Sequence, residues 1–328
     1  MLEAADIQVL LHATVTGAAR SEGLVTSVEV RDKLSCQTLS ARAFVDCSGD
    51  CDLSHLAGAS TRYGNDGVVN LGSLATRWGG LQNASPTAQQ WKDAVQAAKA
   101  ANPELRKKIP KDGSVLIRLP QSRDICSFMA SAIYDARSAE GLTRAEQSGR
   151  KQAQEYLKIL RTVPGQEGIY LVSTGPNFGT RESRHINSRG QLRETDINEG
   201  RRFPDTVALG AWGFEWHDSS KEDWASSFGL PPGGCFDIPL SCLWSKDTAN
   251  LFAAGRCADG DRKAGSSIRV MGTGLATGQA AGVAAALRAR DGGDPAVDEV
   301  RRILAANGAL IDRDNLPLAG SVGAADSL

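Results

Sequence analysis

Three observations predict an α/β fold for these 328 residues. Near the carboxy end, Asn250–Arg290 reads as a short apolar strand, a loop rich in Gly, Asp and Ser, and then a long helix of Ala, Leu, Gln and Arg. Near the amino end, residues 24–30 alternate as a strand does, with Leu24, Thr26, Val28 and Val30 on one face. Between the two ends lie amphipathic helices of another character, which mark an inserted mixed α+β block. The expected division is one discontinuous domain from 1–60 and 240–328, and a second from 61–239.

The elements follow in order. Residues Leu2 to Asp6 read as a helix tail entering a strand at Ile7 to His12, and the alternating run then forms a β-meander turned at Glu22-Gly23. Thr38 to Asp46 reads as a further strand, running into Asp46-Cys47-Ser48-Gly49-Asp50. Val68 to Trp78 is the next strand. Ser85-Pro86 caps a helix reaching Ala101, and Thr143-x-x-Glu146 is a capping box for a helix with Ala153, Tyr156, Leu157 and Leu160 on one side. The basic segment from Arg106 to Pro120 is expected to be loop and strand. Trp78, Trp91 and Trp224 are expected in core or interface positions.

The carboxy-terminal helix has little bulk along Gly274, Gly278, Ala281, Gly282 and Ala285, so a backbone or flat ligand could lie against it. Its amino end offers N–H groups to an anion or an electron-rich carbonyl. Gly272-x-Gly274-x-x-x-Gly278 also invites reading as a dinucleotide fingerprint, with Asp291 or Asp294 as its acid. Its spacing misses G-x-G-x-x-G by one residue, and too little chain follows to complete a βαβ unit.

Asn250-Leu251, Gly255-Arg256-Cys257, Ser267 to Met271 and Gly278-Gln279-Ala280-Ala281-Gly282 resemble the closing segment of the FAD-dependent oxidoreductases. Val45 to Asp52, Ala57 to Ser60, Gly179 to Ile186, Phe203 to Ala208, Glu215-Trp216-His217 and Phe236 to Leu243 extend that resemblance over nearly the whole chain. Gly272 stands where the family usually has Pro, Gly274 where it often has Cys, and His185 where Arg is common. The resemblance implies an FAD-binding Rossmann-like domain joined to a substrate domain. It implies cofactor contacts from Ser48, Gly49, Asp50, Gly255, Arg256, Arg269, Gly272, Thr273, Gly274 and Leu275.

The family's opening strand, G-x-G-x-x-G turn and helix, which seat the pyrophosphate, find no counterpart in this sequence, so the Rossmann-like domain is expected to be incomplete. A truncated chain, a subunit completed by a partner chain or second copy, and a scaffold that has lost its flavin are the three expectations this raises.

Flavin chemistry needs a group for the accompanying proton and positive charge beside the reduced ring. His217 is the candidate proton acceptor, since imidazole titrates near neutrality; packing within an aromatic loop is the competing role. Arg181 and Arg184 are candidates to orient a substrate carboxylate, or else to pair with Glu182, Glu194 or Asp196. His12 and His55 are expected to be non-catalytic.

Lys plus Arg total 37 against 38 Asp plus Glu, without long blocks of either sign, so neither nucleic acid nor a membrane surface is the expected partner. A small-molecule substrate is. No apolar run approaches a membrane span, and the amino end has acidic rather than basic residues before its apolar stretch, from which a cytoplasmic protein is expected. The seven cysteines show no metal-binding spacing, so no metal is expected and buried free thiols are.

Overall fold

The computed structural model describes residue 5 and residues 7–81, 86–220, 226, 227, 229, 231 and 234–316. It is a mixed α/β protein. In chain order its elements are β1 (Thr14–Ser21), β2 (Leu24–Arg31), β3 (Cys36–Ser40), β4 (Phe44–Asp46), α1 (Asp52–Leu56), β5 (Thr61–Tyr63), β6 (Gly72–Gly79), α2 (Ala88–Ala101) and α3 (Leu105–Lys108). Next come β7 (Leu116–Arg118), β8 (Ile125–Ala132), α4 (Ala139–Leu160), β9 (Tyr170–Thr174), β10 (Arg184–Ile186), α5 (Glu194–Asn198), β11 (Thr206–Gly210), β12 (Trp216–His217) and β13 (Ser226–Ser227). The last are β14 (Phe236–Pro239), β15 (Leu251–Ala253), α6 (Arg262–Ile268), α7 (Met271–Asp291) and α8 (Val297–Ala306).

The chain forms two compact units, the first drawn from Met1–Val68, Arg184–Gly213 and Leu230–Leu316, the second from Val69–Ser183 and Phe214–Gly229. The boundaries therefore differ from the expected 61–239 block. The reason is strand pairing: β10 pairs antiparallel with β5 (His185 opposite Arg62) and β11 pairs with β14, which holds residues 184–213 to the chain ends.

In the first unit, β1, β2 and β3 form the expected antiparallel meander. Its buried face is Val25, Val28 and Val30, whereas Thr26 is exposed. The register explains this, because Ala19 pairs with Ser27 and Arg20 with Val25, so Thr26 is a bulge residue and the inward face changes parity there. Residues 7–12 are irregular rather than strand, and most of the predicted helix tail at residues 2–6 lies outside the described residues. The predicted strand from Thr38 to Asp46 is split. β3 joins the meander, while β4 pairs in parallel with β15, Val45 opposite Phe252. No other strand pairs with β4 among the described residues.

The loop expected before the long helix is itself helical. The carboxylate of Asp261 accepts the N–H groups of Lys263 and Ala264 and so starts α6. α7 buries Thr273, Thr277, Ala280, Ala281, Ala284 and Leu287. Of the small-residue face, Ala281 and Ala285 are buried and a Cβ on Gly274 would come within 3.9 Å of the Gly255 Cα, whereas a Cβ built on Gly278 or Gly282 meets nothing within 4 Å among the described residues. Asp291 pairs with Arg290, Asp294 with Arg189, and the next element is α8 rather than a strand, which leaves no βαβ unit for the alternative fingerprint.

The second unit is a four-stranded antiparallel sheet, β7-β8-β6-β9, packed by α2 and α4. Trp78 and Trp91 meet edge to face at 6.3 Å beside Ile125, Met129, Tyr156 and Leu160. Both indole N–H groups are satisfied, by Ser127 Oγ at 3.0 Å and Gln166 Oε1 at 2.8 Å, so the rings bury fully without an orphaned donor. Gly149 permits the close approach of α4, because a Cβ there would sit 2.9 Å from that of Leu74. Both helices start elsewhere than expected. Thr87 caps α2 in a box with Gln90, and Ser138 caps α4, leaving Thr143 inside the helix. Ser85 and Trp224 lie outside the described residues.

Candidate functional site

In the first unit, the β4 strand ends on Asp46, which is 1% exposed. One of its oxygens accepts the N–H of Ser48 at 3.1 Å and its hydroxyl at 2.7 Å; the other accepts the N–H and hydroxyl of Ser54 at 2.8 and 2.7 Å. This carboxylate folds the whole turn from Ser48 to Ser54. Ser48 Oγ accepts the N–H of Asp52 at 2.9 Å, and Gly49 takes φ +83°, the left-handed region. The guanidinium of Arg256 lies against Gly49, where a Cβ would clash at 2.2 Å, and pairs with Asp50 at 3.5 Å. Ser48, Gly49, Asp50 and Arg256 are thus brought together.

Cys51 and Cys257 join this turn. The Cys51 N–H reaches Cys257 Sγ at 3.3 Å, and Asp46, Cys51 and Cys257 have ligand atoms within 4.8 Å of one another. Burial pushes the Cys51 thiol well up, aided by Cys257, so it keeps its proton. With both oxygens of Asp46 already accepting serine donors, the cluster fits hydrogen-bonded thiols better than a metal site. Cys235 and Cys242 are buried as expected, but Cys36 and Cys47 are exposed.

Gly255, at φ +60°, follows β15, and its N–H is accepted by Thr277 Oγ1 at 3.1 Å. That hydroxyl in turn bonds the Thr273 carbonyl at 3.0 Å, tying α7 to the strand end, and a Cβ on Gly274 would come within 3.9 Å of the Gly255 Cα. Arg269 ends α6, while Gly272, Thr273, Gly274 and Leu275 occupy the first turns of α7. This helix has no side-chain cap, a Cβ at Gly272 meets nothing within 4 Å, and Leu275 is 75% exposed. An uncapped 21-residue helix opening onto free space suits the electron-rich edge of a flavin ring. The fit stops there, since no strand among the described residues runs into a G-x-G-x-x-G turn that could hold a pyrophosphate.

The second unit holds a cavity of about 310 Å³ lined by Lys92, Lys111, Phe128, Arg181, Glu215 and His217 among others. Asn70, fully buried, aligns two of them, its amide accepting the His217 N–H at 3.0 Å and donating to the Glu215 carbonyl at 2.9 Å. His217 Nε2 lies 3.0 Å from Glu215 Oε1. A carboxylate only accepts, so Nε2 carries the hydrogen and Nδ1 presents a bare lone pair. Nδ1 is buried and has no hydrogen-bond partner among the described residues. Burial holds the imidazole down to about 4, with Glu215 opposing and Arg181 and Lys111 assisting, so it is neutral at pH 7.

Arg181 donates from Nη1 to the Leu71 carbonyl and to Ser73 Oγ, both at 2.7 Å. Its backbone is set by Tyr134, whose hydroxyl accepts the N–H groups of Arg181 and Glu182 at 3.1 and 3.0 Å. The same hydroxyl donates to the Glu182 carbonyl at 2.5 Å. Arg184 is not a partner of Arg181: it belongs to the first unit, where it bonds the Asp50 carbonyl at 3.3 Å and Asp52 at 3.2 Å. Of the three expected acidic partners, Asp196 pairs with Arg201, Glu194 with Lys263, and Glu182 accepts the Asn70 N–H at 2.6 Å.

Asp46, Thr277, Asn70 and Lys111 are the residues sequence reasoning missed. Asp46 was read as the last letter of a strand and as part of the family-like stretch without a role of its own, and Lys111 as one cation in a basic segment.

A parallel strand pair ending in a serine-caged acid and a glycine turn, linked to a long uncapped helix, is a mixed α/β scaffold consistent with an FAD-binding oxidoreductase fold. A family model described as FAD dependent oxidoreductase matches residues 1–305. The chain belongs to that family. A search of curated proteins finds no match.

Proposed function

We propose that this chain oxidises or reduces a small organic molecule by hydride transfer, with His217 holding the accompanying proton at Nδ1. Bound FAD supplies a two-electron carrier that exchanges hydride at N5. Gly255, Arg256, Arg269 and the first turn of α7 would hold its ring, and the Ser48-Gly49-Asp50 turn its ribose side. In the second unit, Glu215 fixes the tautomer of His217, so the base that meets substrate is a neutral, desolvated lone pair. Arg181 and Lys111 supply positive charge to hold the substrate against it. The observation that carries this reading is His217, which lines a cavity with Lys92, Lys111 and Arg181 and whose buried Nδ1 has no hydrogen-bond partner among the described residues. Purified protein that is yellow and releases FAD on denaturation would support it; colourless protein that ignores added FAD would refute it.

The free edge of β4 favours a second reading, a scaffold that holds FAD only with a partner chain or a second copy paired there. Its test is whether a chain containing a G-x-G-x-x-G unit, added in trans, co-elutes with this one and turns it yellow.

A further inference from the structure

We infer that Cys51 and Cys257, in the first unit, are a dithiol that a peroxide converts to a disulfide, locking the turn after β4 to the turn after β15. The two residues are 206 positions apart in the chain. Each is 0% exposed, and their sulfurs lie within 4.8 Å of each other. The contact is mutual, since Cys257 Sγ accepts the Cys51 N–H at 3.3 Å and the Cys51 thiol donates to the Cys257 carbonyl at 3.5 Å. Closing the gap to the roughly 2 Å of an S–S bond is a movement on the scale of a side-chain rotation. Cys51 is also held at φ 54°, in the left-handed region, where a non-glycine residue costs free energy. The strain therefore falls on the residue whose sulfur meets Cys257.

Cys257 is the sulfur that reacts first. Its thiol donates toward Asp46 Oδ1, 3.8 Å away, which gives its proton a place to go. Ser48 is exposed and its hydroxyl lies 3.9 Å from Cys257 Sγ, so solvent begins one side chain from the sulfur, and a peroxide is small enough to enter when that hydroxyl swings aside. The Cys257 sulfur takes one peroxide oxygen as the O–O bond breaks, giving a sulfenic acid, and its proton leaves through Asp46 with the second oxygen as water. The Cys51 sulfur then attacks the sulfenic sulfur. The S–S bond forms, the S–O bond breaks, and the hydroxyl departs with the Cys51 proton as a second water. Two thiols are oxidised and one peroxide is reduced to two waters.

The test treats the full chain with hydrogen peroxide in native buffer, blocks the remaining thiols in urea, and reads tryptic peptides by mass without reduction. The peptides of Cys51 and Cys257 should appear joined, two hydrogens lighter than their sum, with fragment ions placing the link on Cys51 rather than on Cys47. Oxidised protein should unfold at a higher urea midpoint than reduced protein, because the closed loop restricts the unfolded chain, and dithiothreitol should return the midpoint to its starting value. Cys47→Ser should keep both results and Cys51→Ala should lose both. Should Cys51→Ala fail to fold, the fragment ions of the wild-type protein decide. The inference is overturned if Cys51 and Cys257 stay free after the exposed Cys36 and Cys47 have oxidised, if the link falls on Cys47, if it forms only in unfolded protein, or if the midpoint does not rise. Colour plays no part in these readouts. A colourless protein that forms the link keeps this inference and loses the redox reading of His217, and a yellow one that does not form it does the reverse.

Discussion

The Asp46 turn and the His217 cavity each bury a polar side chain, and they settle it in opposite ways. Asp46 has both oxygens answered from within its own turn, by backbone and hydroxyl donors of Ser48 and Ser54. His217 has one nitrogen answered by Glu215 and the other by nothing. A closed network of that kind rigidifies a backbone, whereas an open one is costly unless a ligand completes it. The first region is a closed network, and the second an open one.

Breaking the closed network should give the largest effect. Asp46→Ala removes the acceptor of four donors, the two of Ser54 buried and the two of Ser48 partly so, and should cost about 2–4 kcal/mol of unfolding free energy in urea titrations. A loss under about 1 kcal/mol would mean the turn does not depend on its carboxylate. In the open network, His217→Asn should lower turnover by about 10²–10⁴-fold while flavin content stays constant, the usual contribution of a positioned base. Unchanged turnover would return His217 to a packing role.

The contrast can also be read by pH. His217 titrates near 4 in the folded protein against 6.5 ordinarily. Between those values the unfolded chain binds a proton that the folded chain refuses, so stability rises with pH across this window and is lost as pH falls through it. The contribution is on the order of 2–3 kcal/mol, and His217→Gln should flatten that part of the stability curve. An unaltered slope in the variant would show that other groups govern it.

The smallest effect belongs to α7. Because Gly278 faces open space, Gly278→Ala should raise stability by about 0.5–1 kcal/mol through helix propensity alone. A loss of stability or of flavin would show that something packs on that face after all.

Much of this was legible in sequence where chemistry and chain order coincide. The segment from Asn250 to Gly282 announces its family in consecutive letters, and Glu215-Trp216-His217 places the imidazole and the carboxylate it bonds two residues apart in the chain. The bulge at Thr26 was not legible, because one extra residue reverses strand parity without changing the alternation of letters. Neither was the start of α4, for Ser138 and Thr143 are both sound caps and only tertiary packing chooses between them. Lys92 and Lys111 could not be told from solvated cations, since 19 positions separate them and only the fold joins them at one cavity.

The hydroxyl of Tyr134 gathers three distant stretches of chain, around residues 70, 134 and 182, onto one oxygen. Arg181 hangs from that knot by its main chain, so the aim of its guanidinium is adjustable from a residue that never meets the cavity. A designer wishing to reshape the cavity could therefore work from behind, through Tyr134→Phe and its neighbours, leaving every lining side chain as it stands.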